Sequence, residues 1–267
     1  MMPDTRPQQI VETDRILGPL LGTSVLGGWA LVVGWGLLAS GVSTWPVGLI
    51  GLWGLLATWL YTGLFITAHD AMHGVAVPSS RRWNDLLGRV ALGLYAAFPY
   101  APMVHEHRRH HRAPASADDP DFHAAGAPAM VAWYLRFVGQ YLRWQQFVIL
   151  AVVFNVLHHG LGVEQWRLWA FWIVPSVAST WQLFYFGTYL PHREPAQGHA
   201  DMHRAQSSAW PTWATLLSCY HFGLHWEHHA WPHVPWFRLP QARRERLRGG
   251  LSTPHSAASG APTAVNS

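Results

Sequence analysis

From Ile16 to His69 the chain runs for 54 residues without one charged side chain. A bilayer crossing takes roughly 20 apolar residues, so this stretch is long enough for two. The segment Gly41-Val42-Ser43-Thr44-Trp45-Pro46 supplies a turn between them. The pattern predicts helical spans over 16–40 and 46–68, with further candidates over 145–162 and 168–190. Pro175 is expected to kink the last of these, which a packed bundle tolerates. The stretches 86–104 and 129–144 are apolar but interrupted by Arg89, Arg136 and Arg143. They read as helices lying in the membrane interface, as does 209–224; a short span is the alternative for 86–104. The expected class is all-α, an integral membrane helical bundle of about four transmembrane helices plus interfacial helices, capped on one side by a histidine-rich region. The expected organisation is an N-terminal segment 1–15, one membrane domain 16–248 and a Ser/Ala/Gly/Pro-rich tail 249–267, expected to be disordered.

Composition supports the membrane reading. Charged residues make up 12% of the chain, and all 18 basic side chains are arginine. Soluble proteins carry roughly 25% charged residues, so this chain has too few to cover a water-exposed surface. High charge with few aromatics marks disordered and nucleic-acid-binding chains, and neither description applies. Mean hydropathy is only +0.06, because arginine and histidine lower an average that conceals long apolar runs. The single cysteine, Cys219, excludes an internal disulfide framework. With an even number of crossings, residues 1–15, 69–144 and 191–267 share one face. Arg167 alone falls clearly on the other, with Arg136 and Arg143 ambiguous. The positive-inside rule makes the shared face cytoplasmic, in an inner membrane. Trp45, Trp166 and Trp169 fit an aromatic belt opposite, and the first residues do not resemble a cleaved signal peptide.

The 18 histidines are clustered. His69 and His73 stand at i and i+4, just beyond the apolar part of the second span. His107, His110 and His111 stand at i, i+3, i+4, and His225, His228 and His229 repeat that spacing. On a helix each set shares one face and can converge on a common centre. The topology places all three sets on the cytoplasmic face, and His192 emerges there from the last span. Eight or nine such rings exceed what one metal holds, so ligand number argues for two ions. Imidazole suits zinc, copper, iron and nickel alike. His123, His199, His203, His233 and His255 read as surface or supporting residues. His158 and His159 fall on the far side, and His105 and His221 flank true clusters.

The three-box pattern resembles the membrane-bound fatty acid desaturase/hydroxylase superfamily, and within it the bacterial β-carotene ketolases. The resemblance rests on His69-Asp70-Ala71-Met72-His73-Gly74, on His107 to His111 followed by Asp118-Asp119-Pro120-Asp121-Phe122-His123, on Phe186 to Arg193, and on the run from His221 to Pro240. It covers residues 15–245. It implies a non-haem di-iron centre held by His69, His73, His107, His110, His111, His192, His225, His228 and His229. It further implies oxidation of C4 of a β-ionone ring to a ketone, with O2 as co-substrate, electrons from ferredoxin and a carotenoid drawn from the bilayer. Among the carboxylates that could orient the rings (Asp70, Glu106, Glu227 and the Asp118-Asp119-Asp121 group), Asp118 is the expected catalytic one, on the resemblance more than on geometry. Phe65, Tyr95, Phe98, Tyr185 and Tyr189 are candidates to line the substrate path.

Other readings keep a place. A carotenoid 3-hydroxylase or an acyl-lipid desaturase would share the same boxes. A bis-histidine haem electron carrier needs histidines within opposing spans, whereas these lie at the membrane edge. An intramembrane metalloprotease would match the HxxxH frame of His69 and His73, but Asp70 stands where HExxH has its glutamate. A metal transporter needs ligands near the midplane, where the spans carry none.

Overall fold

The computed structural model describes residues 12–123 and 129–249. The regular elements among them are helical, with one isolated bridge between Ser207 and Leu224. Helices α1 (Asp14–Leu38) and α2 (Val47–His73) are long and apolar enough to cross a membrane. They are joined through Gly41, whose φ of +81° is a left-handed conformation open to glycine, and through Pro46, which precedes the first turn of α2.

Arg167, the basic residue expected on the far side, is buried against this junction. Its guanidinium donates to the carbonyls of Leu37 (3.2 Å) and Ala39 (2.8 Å), to Ser43 Oγ (3.1 Å) and to Glu164 (2.9 Å). A cation thus satisfies the open carbonyls at the C-terminal end of α1.

The first half of α2 presents apolar side chains outward, such as Leu52 and Leu55. From Leu60 to Met72 every residue except Phe65 is buried. This half is the centre of the molecule, flanked by α1, by α3 (Arg81–Ala96) and by α8 (Val174–Leu183). Small residues permit the approach. A Cβ added to Gly63 would lie 2.5 Å from the Tyr220 hydroxyl, and one added to Gly22 would lie 3.1 Å from Thr67 Cγ2. Helix α2 stops at Gly74, in the left-handed conformation (φ +79°), where the amides of Gly74 and Val75 close on the carbonyls of Ala71 and Asp70. His73 is therefore its last residue.

The single interfacial helix expected over 86–104 is two helices. α3 ends at Ala97 (φ +56°), Pro99 follows, and α4 (Tyr100–Arg112) begins anew. Proline has no amide to continue a helix and disfavours helical backbone before it. Next come α5 (Met130–Tyr141) and α6 (Trp144–Asn155), which continues into a π-helical turn, Val156–Gly160. Residues 165–192 form one helical run in pieces: α7 (Gln165–Leu168), the π-helical Trp169–Ile173, α8, the π-helical Phe184–Tyr189 and α9 (Leu190–His192). The first π-turn ends just ahead of Pro175, whose missing amide breaks the regular ladder. Thus the two later candidate segments are helical runs, but among the described residues only α1 and α2 are single helices long and apolar enough to cross a membrane.

The helix expected over 209–224 is also shorter. α10 (Thr212–Cys219) stops because Tyr220 (φ +49°) and His221 (φ +62°) turn left-handed, with the His221 amide bonded to the Thr215 carbonyl. The chain ends its described part in α11 (His225–Ala230), the 3₁₀ turn Trp236–Arg238 and α12 (Leu239–Arg248). Most of the tail expected to be disordered lies outside the described residues, as do residues 1–11 of the N-terminal segment.

Candidate metal centre

Four helices deliver the nine clustered histidines to one place. α2 carries His69 and His73 at its end, α4 carries His107, His110 and His111, α9 ends on His192, and α11 carries His225, His228 and His229. Their ring nitrogens fall into two groups. His69, His73, His107, His111 and His228 form one; His110, His192, His225 and His229 form the other, with the donor atoms in each group within 4.8 Å of one another. Each HxxHH box is split between the groups. α4 gives His107 and His111, one turn apart, to the first and His110 to the second. α11 gives His228 to the first and His225 and His229 to the second. Neighbours such as His228 and His229 serve different groups because successive helical side chains point about 100° apart. The groups touch where His111 stacks on His229 at a centroid distance of 4.3 Å.

The second group fixes its tautomers through outer contacts. His192 Nδ1–H donates to the Arg204 carbonyl (2.9 Å), His225 Nδ1–H to the Phe222 carbonyl (3.3 Å), and His110 Nδ1–H to both oxygens of Asp119 (2.9 Å each). A carbonyl only accepts, so the proton sits on Nδ1 and a neutral ring turns a bare Nε2 lone pair inward. Those inner nitrogens crowd together: His229 Nε2 is 3.1 Å from both His110 Nε2 and His225 Nε2. His192 Nε2 is buried with no hydrogen-bond partner, and neither is there one for either ring nitrogen of His69. In the first group His73 and His107 meet through Nε2 at 2.8 Å, and His111 and His228 at 2.9 Å. Converging lone pairs without enough protons are what a cation relieves, and this all-imidazole set with buried, unpartnered nitrogens fits metal ions.

Electrostatics keeps the rings neutral. Burial, reinforced by neighbouring rings, holds His107, His111, His225, His228 and His229 well below the ordinary imidazole range. His110 is the exception: burial opposes its charge, but Asp119 and Asp121 outweigh it and raise its pKa.

Asp118 is exposed, and its backbone carbonyl accepts from Arg109 (3.2 Å). The carboxylate that meets a ring of the cluster here is Asp119. Asp119 is buried and also accepts the amides of Ala115 and Asp121, both at 2.8 Å. The turn from Ser116 to Phe122, closed by bonds between the Asp119 amide and the Ser116 carbonyl and between the Phe122 amide and the Asp119 carbonyl, decides which aspartate faces inward. Burial pushes the Asp121 carboxyl up to about 6. Its Oδ1 accepts from the Tyr141 hydroxyl, and its Oδ2 lies 3.8 Å from His110 Nδ1. Asp70 lies 3.7 Å from His69 and accepts the Trp236 amide (3.1 Å). Glu106 pairs with Arg109 instead (2.9 Å). Glu227, fully buried, accepts from Arg246 (2.7 Å) and from Ser207 Oγ, which fixes α11 against α12. His221 bonds Thr215 Oγ1 (2.8 Å) and His105 is exposed, so both stand outside the two groups.

An apolar cavity of about 300 Å³ runs up to the first group. His107 forms part of its wall, together with Phe65, Met72, Tyr95, Phe98 and residues of α5, α6 and α8. Tyr185 and Tyr189, expected along the same path, are not among the lining residues. Phe137, Tyr141 and Phe147 are, and their involvement was not readable from spacing alone.

The sequence profile of the fatty acid desaturase family matches residues 43–167 and 139–256. The chain is 46% identical over 187 residues to a beta-carotene ketolase of Paracoccus sp. (strain N81106), covering 70% of this chain and 76% of the relative. It is 43% identical over 201 residues to beta-carotene 4-ketolase 3 of Haematococcus lacustris, covering 73% of this chain and 62% of the relative. To the zeaxanthin 4-ketolase of Chlamydomonas reinhardtii it is 42% identical over 199 residues, covering 73% and 44%.

Proposed function

The chain belongs to the fatty acid desaturase family, and on that premise we propose that it oxidises the C4 methylene of a carotenoid β-ionone ring to a ketone with O2. The observation that carries this reading is the apolar cavity with His107 in its wall, which brings a long hydrophobic substrate to a histidine group. The relatives named above are ketolases of β-carotene or zeaxanthin, which places the substrate among carotenoids.

Two iron ions fit the two groups, one held by His69, His73, His107, His111 and His228, the other by His110, His192, His225 and His229. When bound, such a pair supplies the redox electrons and open positions that O2 activation and C–H cleavage require. The protein's part is orientation and exclusion. The Arg204 and Phe222 carbonyls and Asp119 hold three rings with Nε2 inward. Phe65, Phe98 and Phe137 keep water from the reacting carbon.

The domain responsible is 16–248. Its outward apolar faces, such as Val148, Ile149 and Val152 on α6, lie against lipid. The helical runs 144–160 and 165–192 then make a third and fourth crossing beside α1 and α2, and the histidine cap lies on the cytoplasmic side, where a ferredoxin-type donor reaches it. Expression in a β-carotene-accumulating bacterium, with pigments identified by chromatography and mass, tests the reading. Carotenoid bearing a C4 ketone is the expected product; hydroxylated or desaturated product alone refutes it.

A further inference from the structure

Few polar groups face the cavity, and most are tied to a neighbouring helix. Ser179 Oγ donates to the Tyr95 hydroxyl (3.0 Å), and the Tyr134 hydroxyl pairs with Thr180 Oγ1 (2.6 Å), so both tyrosines are fastened to α8. Asp121 and Tyr141 differ. They line the cavity and bond each other, and Asp121 lies 3.8 Å from the ring of His110, which puts the pair at the histidine end. Orientation of His110 does not require Asp121, because Asp119 already meets its Nδ1 with both oxygens. A carboxylate and a phenol in an apolar substrate cavity carry a desolvation cost. They also keep unused capacity, since the tyrosine oxygen and Asp121 Oδ2 can each accept a further hydrogen bond.

We propose that Asp121 and Tyr141 bind a hydroxyl group on C3 of the ring, so that the site selects rings already hydroxylated over plain ones. This rests on the ketolase reading: C3 is bonded to C4, so a ring that offers C4 to the histidine end carries its 3-hydroxyl to the same place. A hydroxylated ring donates its one proton to one of these acceptors, Asp121 Oδ2 or the Tyr141 oxygen. A plain ring leaves those positions dry and unmatched, which is how a polar pocket rejects an analogue lacking the group.

The test is a carotenoid with one 3-hydroxylated and one plain β ring, given to the full-length protein in membranes with its reductant. Fragmentation of the monoketone shows which ring was oxidised. The expected result is about tenfold preference for the hydroxylated ring, equivalent to about 1.4 kcal/mol, falling toward one in Tyr141→Phe and Asp121→Asn. Because the ratio is internal to one molecule, it does not depend on how much variant accumulates. Equal oxidation of both rings by the unaltered protein overturns the proposal, and so does an unchanged ratio in both variants. Absence of C4 ketone on either ring with the unaltered protein overturns the ketolase reading itself.

Discussion

His110 is clamped end to end: its Nδ1 meets both oxygens of Asp119 at 2.9 Å, and its Nε2 stands 3.1 Å from His229. The clamp joins the second helical box to the third through one imidazole. It also explains why a loop between α4 and α5 matters to a site built on helices, since that loop holds Asp119 by two backbone amides.

Asp119→Asn keeps the size of the side chain but loses the anion that orients His110. Partners of this kind are worth about 10–100-fold in metal affinity or activity. Ketone formation and bound metal should fall together by that factor in Asp119→Asn, while Asp118→Asn, altered on an exposed side chain, stays within about twofold. Equal losses in the two variants would assign the role to the loop as a whole.

The division of the boxes has its own signature. His73→Ala removes a donor from the first group, and His225→Ala one from the second. Each should lower metal content toward one ion per chain, measured by elemental analysis of purified protein, and each should abolish turnover. Loss of both ions in both variants would indicate one shared cluster.

Much of this was legible before the structure. The i, i+3, i+4 spacing put His107, His110 and His111 on one helix within reach of a common centre, and the structure gathers them with His69 and His225. The split between two groups was not legible, because it depends on the roll of α4 and α11 about their axes. Nor was the choice of Asp119 over Asp118, which a single turn settles. Hydropathy located α1 and α2 to within a few residues at most ends. It missed the breaks at Ala97 and Tyr220, where a left-handed residue rather than a loss of apolar character ends the helix. The π-turns around Pro175 likewise leave no mark in an average of side-chain polarity.

Arg246 and Glu227 form a buried ion pair at 2.7 Å, beneath the helix that carries the third box. Removing one partner of such a pair costs about 3–5 kcal/mol, because the other charge stays buried. Arg246→Met should therefore lower the melting temperature in detergent sharply, and adding Glu227→Gln should recover most of the loss. A double variant as unstable as the single one would show that packing, not charge, sets the effect.

Gly63 lies where α2 passes Tyr220, with no room for a methyl group. Gly63→Ala should destabilise the protein by about 1–3 kcal/mol through overpacking. Gly27→Ala, which meets nothing within 4 Å, should be neutral or mildly stabilising on helix propensity. Thermal melts of the two variants side by side check this, and equal behaviour would contradict the close approach of α2 and Tyr220.

The most direct test is metal reconstitution of the purified chain, with metal counted and ketone formed from carotenoid measured under reductant and O2. About two ions per chain are expected, one for each histidine group, with turnover lost on chelation and restored by ferrous iron but not by zinc. A single bound ion at full activity, or full activity with zinc, would contradict a two-iron centre.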